Sequence, residues 1–365
     1  ASVKLAKLTR DLQFRQHAVL STTASFIDVV IAVSLATTIG PWAIVVGLLA
    51  RATATSALSY VLAPYRPRWL IDRVALGAIW QFGRWVALTS VITIAGNLAL
   101  QAVISRRLGT TDLGIYALSL TLANLPEDTA ASVVGGVAFP VHARVQDDVE
   151  RTRRALQAHL TAMAVLVLPV YAAIMVLAPG GAETVLGERW SDAGQLIVLL
   201  SAASVIGIVA DVVIPLFEGM RQPSRVTALL AVRTAVILTT VSWLAGAHGL
   251  LGAGIAIVIA ELAVLVLAAT LAARAVPHAW DGSERPLAGI AACAAMGAAL
   301  ALAIRTLGSG TIAVGMVGAL AVATSLGALM WLDRVLALGI RRDAARAFPA
   351  LAGTRPAPGV DERVR

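Results

Sequence analysis

The stretch "SWLAGAHGLLGAGIAIVIAELAVLVLAATLAARAVP", residues 242–277, decides the fold. From Leu250 to Ala273 it carries a single charged side chain, Glu261. A helix needs about 20 mostly apolar residues to cross a bilayer, and this run is long enough. It ends in a basic, proline-containing loop with Arg274 and Pro277. Read outward, the same pattern returns. Ten segments qualify, at 18–39, 43–62, 86–105, 113–140, 159–179, 194–217, 226–246, 250–273, 287–304 and 312–331. The alternation that a barrel strand requires is absent. The expected fold class is all-α: a polytopic membrane protein of about ten transmembrane helices.

Composition agrees. Hydrophobic residues make up 58% of the 365 and charged residues 14%, with a mean hydropathy of +0.83. A soluble domain averages about 25% charge, so the apolar surface here exceeds what a water-soluble core can hide. The net charge is +8. In a membrane protein such a balance reflects cytoplasmic loops. The basic residues lie between apolar spans and form no patch, which argues against a nucleic-acid partner. The one cysteine, Cys293, lies in an apolar run, so neither a disulfide framework nor a Cys-rich metal site is expected. His17, His142, His159, His248 and His278 have no metal-ligand spacing. No P-loop occurs, and no Ser-His-Asp set lies outside the spans. The chain is expected to be no enzyme and to hold no cofactor.

Charge asymmetry sets an orientation. With Lys4, Lys7, Arg10 and Arg15 placed inside and the spans alternating, 23 of the 29 basic residues fall on the inner side. Outside fall Arg106, Arg107, Arg189 and Arg305, while Arg51 and Arg233 lie within spans. The reading is a multi-pass protein of the cytoplasmic (inner) membrane with both termini of this chain inside. The basic N-terminal stretch is expected to be no signal peptide, because the apolar run after it is too long for an h-region. Tyr60, Tyr65, Trp69, Trp80 and Trp85 sit near span ends as interfacial anchors.

The opening stretch has an earlier echo. "SLATTIGPWAIVVGLLARATATSALSYVLAPYRP" at 34–67 is also a span, a tight glycine turn, and a span ending in a basic, proline-containing loop. Gly40 falls on Gly249, and Arg51 falls beside Glu261. Transporters are often built from two related bundles. The second copy follows four spans and the first follows none, so about four spans, roughly 100 residues, are expected upstream in a longer protein. The expected organisation is a remnant of an N-terminal lobe at 1–75, a six-helix lobe at 76–275, two further helices at 276–340 and a cytoplasmic tail at 341–365. The turn Gly40–Pro41–Trp42 is so short that the spans it joins must pack antiparallel.

Five strings carry a family resemblance. They are "WQFGRW" at 80–85, "ISRRLGTTDLGIYALSLTLANLPED" at 104–128, "VAFPVHARVQDDVERTRRAL" at 137–156, "VLAPGGAETVLGERWSDAGQLIVLLS" at 176–201 and "PLFEGMRQPSR" at 215–225. In this order they resemble the Wzx-type oligosaccharide flippases, the polysaccharide-transporter branch of the multidrug/oligosaccharidyl-lipid/polysaccharide superfamily. The resemblance implies two lobes around a central cavity, and a first lobe that this chain mostly lacks. It also implies export of a polyprenyl-diphosphate-linked oligosaccharide for surface polysaccharide or lipopolysaccharide synthesis. Its expected partners are that glycolipid, membrane lipids, a proton or sodium ion, and other polysaccharide-assembly proteins. Alternatives are a cation-coupled drug or metabolite antiporter, a peptidoglycan-precursor flippase of the same superfamily, and a membrane-embedded glycosyl- or acyltransferase.

Charges inside spans mark candidate sites, since each costs about 2.5–3.5 kcal/mol to insert. Arg51, Arg233 and Glu261 are cavity candidates, with Arg84 at the inner mouth. Asp28, Glu127, Asp128 and Asp211 are ion-coupling candidates. Pairing of Arg51 or Arg233 with Asp28 or Glu261 is the structural alternative. Ser90, Thr93, Asn97 and Gln101 recur at steps of three and four and share a helix face. Asn97 and Gln101 therefore suit either a sugar-lined cavity or an interhelical contact. Pro126 is expected to kink or break its helix.

Overall fold

The computed structural model describes the backbone of residues 14–62 and 73–307, and these are helical with no strand. The helices are α1 (Phe14–Ile39), α2 (Trp42–Leu62), α3 (Arg73–Leu108), α4 (Thr110–Val145), α5 (Val149–Leu186), α6 (Ser191–Gly219), α7 (Pro223–Ala275) and α8 (Glu284–Leu307). A short 3-10 turn, Glu188–Trp190, joins α5 to α6. Nine of the ten expected spans fall within these helices. The tenth, 312–331, lies outside the described residues, as does the expected tail at 341–365. Among the described residues, five helices are long and apolar enough to cross a membrane. Helix α4 is not one of them.

Helix α7 runs without a loop but is a hairpin. Gly249 interrupts it with φ 61° and ψ −141°, a conformation open essentially to glycine alone. The limb before it folds back on the limb after it. Arg233 meets Glu261, and Arg225 Nη1 lies 3.4 Å from the carbonyl of Leu271. A side chain on Gly252 would run into the carbonyl of Leu244.

Contacts divide the chain between Ile79 and Trp80, within α3. In the first unit, α1 and α2 pack against each other through a turn at Gly40, φ 54°. The Ala43 amide donates to the Gly40 carbonyl at 3.0 Å. Gly47 keeps this pair close: a Cβ there would lie 2.5 Å from Asp28 Oδ1.

The second unit is organised around α6, which packs on α4, α5, α7 and α8. An apolar helix buried on all sides belongs at the centre of a bundle. In lipid, helices associate by close packing and not by hydrophobic expulsion, so small residues decide where they approach. Gly194 meets the backbone of Pro179, and Gly219 meets His142 and the Ala143 amide. Side chains cluster in two groups. One includes Leu156, Met163, Tyr171, Phe217 and Val264, and the other includes Ile104, Tyr116, Leu196, Val241 and Ala253. Helix α4 stays helical through Pro126, which does not break it. The α4–α5 turn is capped by Asp148, whose carboxylate accepts from the Arg151 amide at 3.0 Å.

Candidate functional site

Polar residues gather where the two clusters meet. On α4, Glu127 lies between Ala123 of one cluster and Ala130 of the other. Arg233 lies likewise between Leu229 and Val241, and Glu261 between Ile257 and Val264. Helical spacing aims them together. Thr93, Gly96, Asn97 and Leu100 form one face of α3, and Tyr116, Leu120, Asn124 and Glu127 one face of α4. Leu200, Ala203 and Ser204 come from α6, and Arg233, Thr234, Ile237 and Glu261 from the two limbs of α7. Together they line a cavity of about 260 Å³.

The centre of the site is an ion pair. Both Nε and Nη2 of Arg233 meet Oε1 of Glu261, whose side chain is 2% exposed. Glu261 Oε2 has no hydrogen-bond partner, and neither has Asp211 Oδ2. Both oxygens lie beside Gly207, where a Cβ would stand 3.2 Å from the first and 3.7 Å from the second. The Glu127 and Asp211 carboxyls also face each other. Three carboxylates thus surround one guanidinium. Smaller contacts tie the walls together. Thr89 and Thr227 share a hydroxyl hydrogen bond of 2.8 Å between α3 and α7, and Gly96 faces Thr234.

The sequence-derived candidates divide. Glu127, Asp211, Arg233 and Glu261 come together, and Asn97 joins them on the cavity wall. Gln101, one turn beyond Asn97, is exposed and off the cavity lining, and Asp128 is exposed. Arg84 is exposed, with its guanidinium 5.5 Å from the Trp85 ring. Asp28 and Arg51 form their own ion pair of 3.9 Å across the α1–α2 hairpin.

Residues missed in the sequence are Tyr116, Asn124, His159, Tyr171 and Ser204. A signal existed for some. Asn124 precedes Glu127 by three, and Ser204, Gly207 and Asp211 are spaced by three and four on one helix. Tyr171 and His159 carried none: Tyr171 is a lone polar residue in an apolar run, and His159 sits at the edge of a basic, polar stretch.

Comparison with known proteins places this architecture. The family model described as "Polysaccharide biosynthesis protein" matches residues 1–195, more than half of the chain. The succinoglycan biosynthesis transport protein ExoT of Rhizobium meliloti (strain 1021) is 28% identical over 221 residues, 60% of this chain and 45% of that protein. The lipopolysaccharide biosynthesis protein WzxC of Escherichia coli (strain K12) is 26% identical over 162 residues, 44% of this chain and 32% of that protein. This chain thus spans less than half the length of these curated relatives. Among solved structures, the lipid II flippase MurJ in an inward closed conformation superposes with a TM-score of 0.57. The match covers 86% of this chain and 67% of that one, and at 10% identity it is a likeness of fold alone.

Proposed function

The chain belongs to the polysaccharide biosynthesis protein family, and on that premise we propose that it is part of a flippase for a polyprenyl-diphosphate-linked oligosaccharide. It is a multi-pass membrane protein. We assign it to the cytoplasmic membrane with the α4–α5 turn inside, because that turn carries Arg144, Arg151, Arg153 and Arg154. We divide the described residues into a hairpin of α1 and α2, a second lobe of six spans within 76–275, and the further helix α8. The protein transports and does not catalyse.

The observation that carries the reading is the Arg233–Glu261 pair, set in a polar cavity within an apolar bundle. A guanidinium suits a diphosphate, because its planar fork matches two phosphate oxygens. Asn97, Asn124, Ser204 and Thr234 offer amides and hydroxyls to sugars. The sequence encodes no nucleotide site, so movement follows alternating access. Three carboxylates around one guanidinium carry excess negative charge unless a proton or cation joins them, which links the cavity to an ion gradient. Arg84 draws the headgroup from the membrane surface toward the cavity. The compact carboxylates fit a cation-coupled antiporter of the same superfamily equally well, and the substrate assay separates the two.

The test reconstitutes the full-length protein in vesicles and follows translocation of a polyprenyl-diphosphate oligosaccharide. Arg233→Gln combined with Glu261→Gln keeps the layer's charge balance and removes the fork. Translocation should fall about a hundredfold, on the scale of losing a charge-assisted contact of 1.5–3 kcal/mol. Wild-type translocation by this variant would remove Arg233 from the mechanism. Inactive wild-type protein that instead exchanges cations for a drug would establish the antiporter.

A further inference from the structure

The carboxylate layer borders a second cavity. Glu127 lines the central space and also a separate cavity of about 200 Å³, which Asp211 and His159 share. His159, in the third turn of α5, has its ring centroid 6.0 Å from that of His142 in the last turn of α4. Both imidazoles are buried, His142 at 1% and His159 at 8% exposure. Nδ1 of each lacks a hydrogen-bond partner. Gly219 lets α6 close over His142, where even a Cβ would lie 2.8 Å from the His142 Cβ.

Burying an imidazole nitrogen without a partner costs desolvation energy, and this bundle does it twice in adjacent side chains. The two rings line up between the basic α4–α5 turn and the acidic layer. Facing this route are Glu127 from α4, Tyr171 from α5, Asp211 from α6, and Arg233 with Glu261 from α7. Among the described residues no three His, Cys, Asp or Glu side chains converge as metal ligands. Histidine is the side chain suited to pass protons near neutral pH, because one ring nitrogen accepts while the other donates.

We propose that His142 and His159 form a proton relay from the α4–α5 end of the bundle to Glu127 and Asp211. The relay rests on the ion-coupled reading above and specifies its ion and route. Each ring takes a proton on one nitrogen and releases one from the other, so it ends neutral after turning over. The last acceptor is a carboxylate of the Glu127–Asp211 pair, which becomes a carboxylic acid. When it ionises again toward the central cavity, one proton has crossed half of the lobe. No oxidant, metal or further reactant takes part.

The experiment uses the full-length protein in liposomes with an interior pH dye, a pH gradient, and a polyprenyl-diphosphate oligosaccharide as probe. Wild-type protein should move protons when the probe is present, and Glu127→Gln with Asp211→Asn should abolish this. His142→Gln with His159→Gln should slow proton movement at least about tenfold while probe binding stays within about twofold. Added imidazole should restore part of the rate to His159→Ala, which a packing role would not allow. Silent carboxylate variants together with wild-type proton movement in the histidine double variant would overturn the relay and leave ion coupling standing. No proton movement in the wild type would overturn both. Should the histidine variants fail to fold, nitrogen-15 histidine spectra of wild-type protein decide. Imidazole protons of both residues that exchange more slowly than transport turns over would exclude the relay.

Discussion

Arg233 meets a single oxygen of Glu261 through both Nε and Nη2, across a hairpin that turns at Gly249. The α1–α2 hairpin, which turns at Gly40, carries its own ion pair with the order of charges exchanged: Asp28 comes first and Arg51 second. The two hairpins share a plan and differ in burial. Glu261 is 2% exposed against 19% for Asp28, so the second pair is the more deeply buried.

That difference sets the first prediction. Removing one partner of a buried pair costs about 3–5 kcal/mol, whereas replacing both with apolar residues is close to neutral. Glu261→Gln should therefore lower the thermal midpoint in detergent strongly, and Arg233→Met with Glu261→Leu should recover most of it. Asp28→Asn, at the less buried pair, should lower the midpoint less. Equal losses at the two hairpins would contradict the burial argument.

The turns themselves are a second test. Gly249 has a backbone conformation that costs other residues about 1–3 kcal/mol. Gly40, at φ 54°, is in the left-handed region, where the penalty is about 1–2 kcal/mol. Gly249→Ala should destabilise the protein in unfolding titrations, and Gly40→Ala should do so no more than Gly249→Ala. A neutral Gly249→Ala would mean that the hairpin turns elsewhere.

Close approach of helices gives a third. At Gly219 a methyl group would stand 2.9 Å from the backbone nitrogen of Ala143, which has no flexible end to move aside. Gly219→Ala should cost about 1–3 kcal/mol, as overpacking does. Gly114→Ala, where nothing lies within 4 Å of the added atom, is the control and should not lower the midpoint.

A fourth concerns the α4–α5 turn. Asp148→Ala removes the cap on the Arg151 amide and should cost about 1 kcal/mol. Beside it, hydrogen bonds from Arg153 and Arg154 hold the Glu150 carboxyl below its usual range. The folded pKa is lowered, so the contribution is present above the unfolded value and lost as pH falls through the folded one. Stability should drop on acidification, and Glu150→Gln should show a shallower acid limb in a pH series of melts. An unchanged limb would show that the pairs contribute nothing.

Much of this was legible beforehand because entry into lipid depends on local composition: a long apolar run bounded by basic turns is a helix whatever surrounds it. The bundle elements, the glycine hairpins at 40 and 249 and the charged residues Glu127, Asp211, Arg233 and Glu261 could all be read that way. Their companions could not. Gln101 and Asn97 share a helix face in the sequence, yet only Asn97 reaches the cavity, and at the next turn of α3 it is Leu100 that lines the wall. Arg51 and Arg233 are alike as isolated intramembrane charges, and packing alone gave each a different partner. His142 and His159 are separated by 17 positions on two helices, and their rings meet because the α4–α5 turn folds one helix back along the other. Partition into the membrane is a sum over neighbouring residues. Pairing inside it depends on helix rotation and approach, and those are fixed by contacts between residues far apart in the chain.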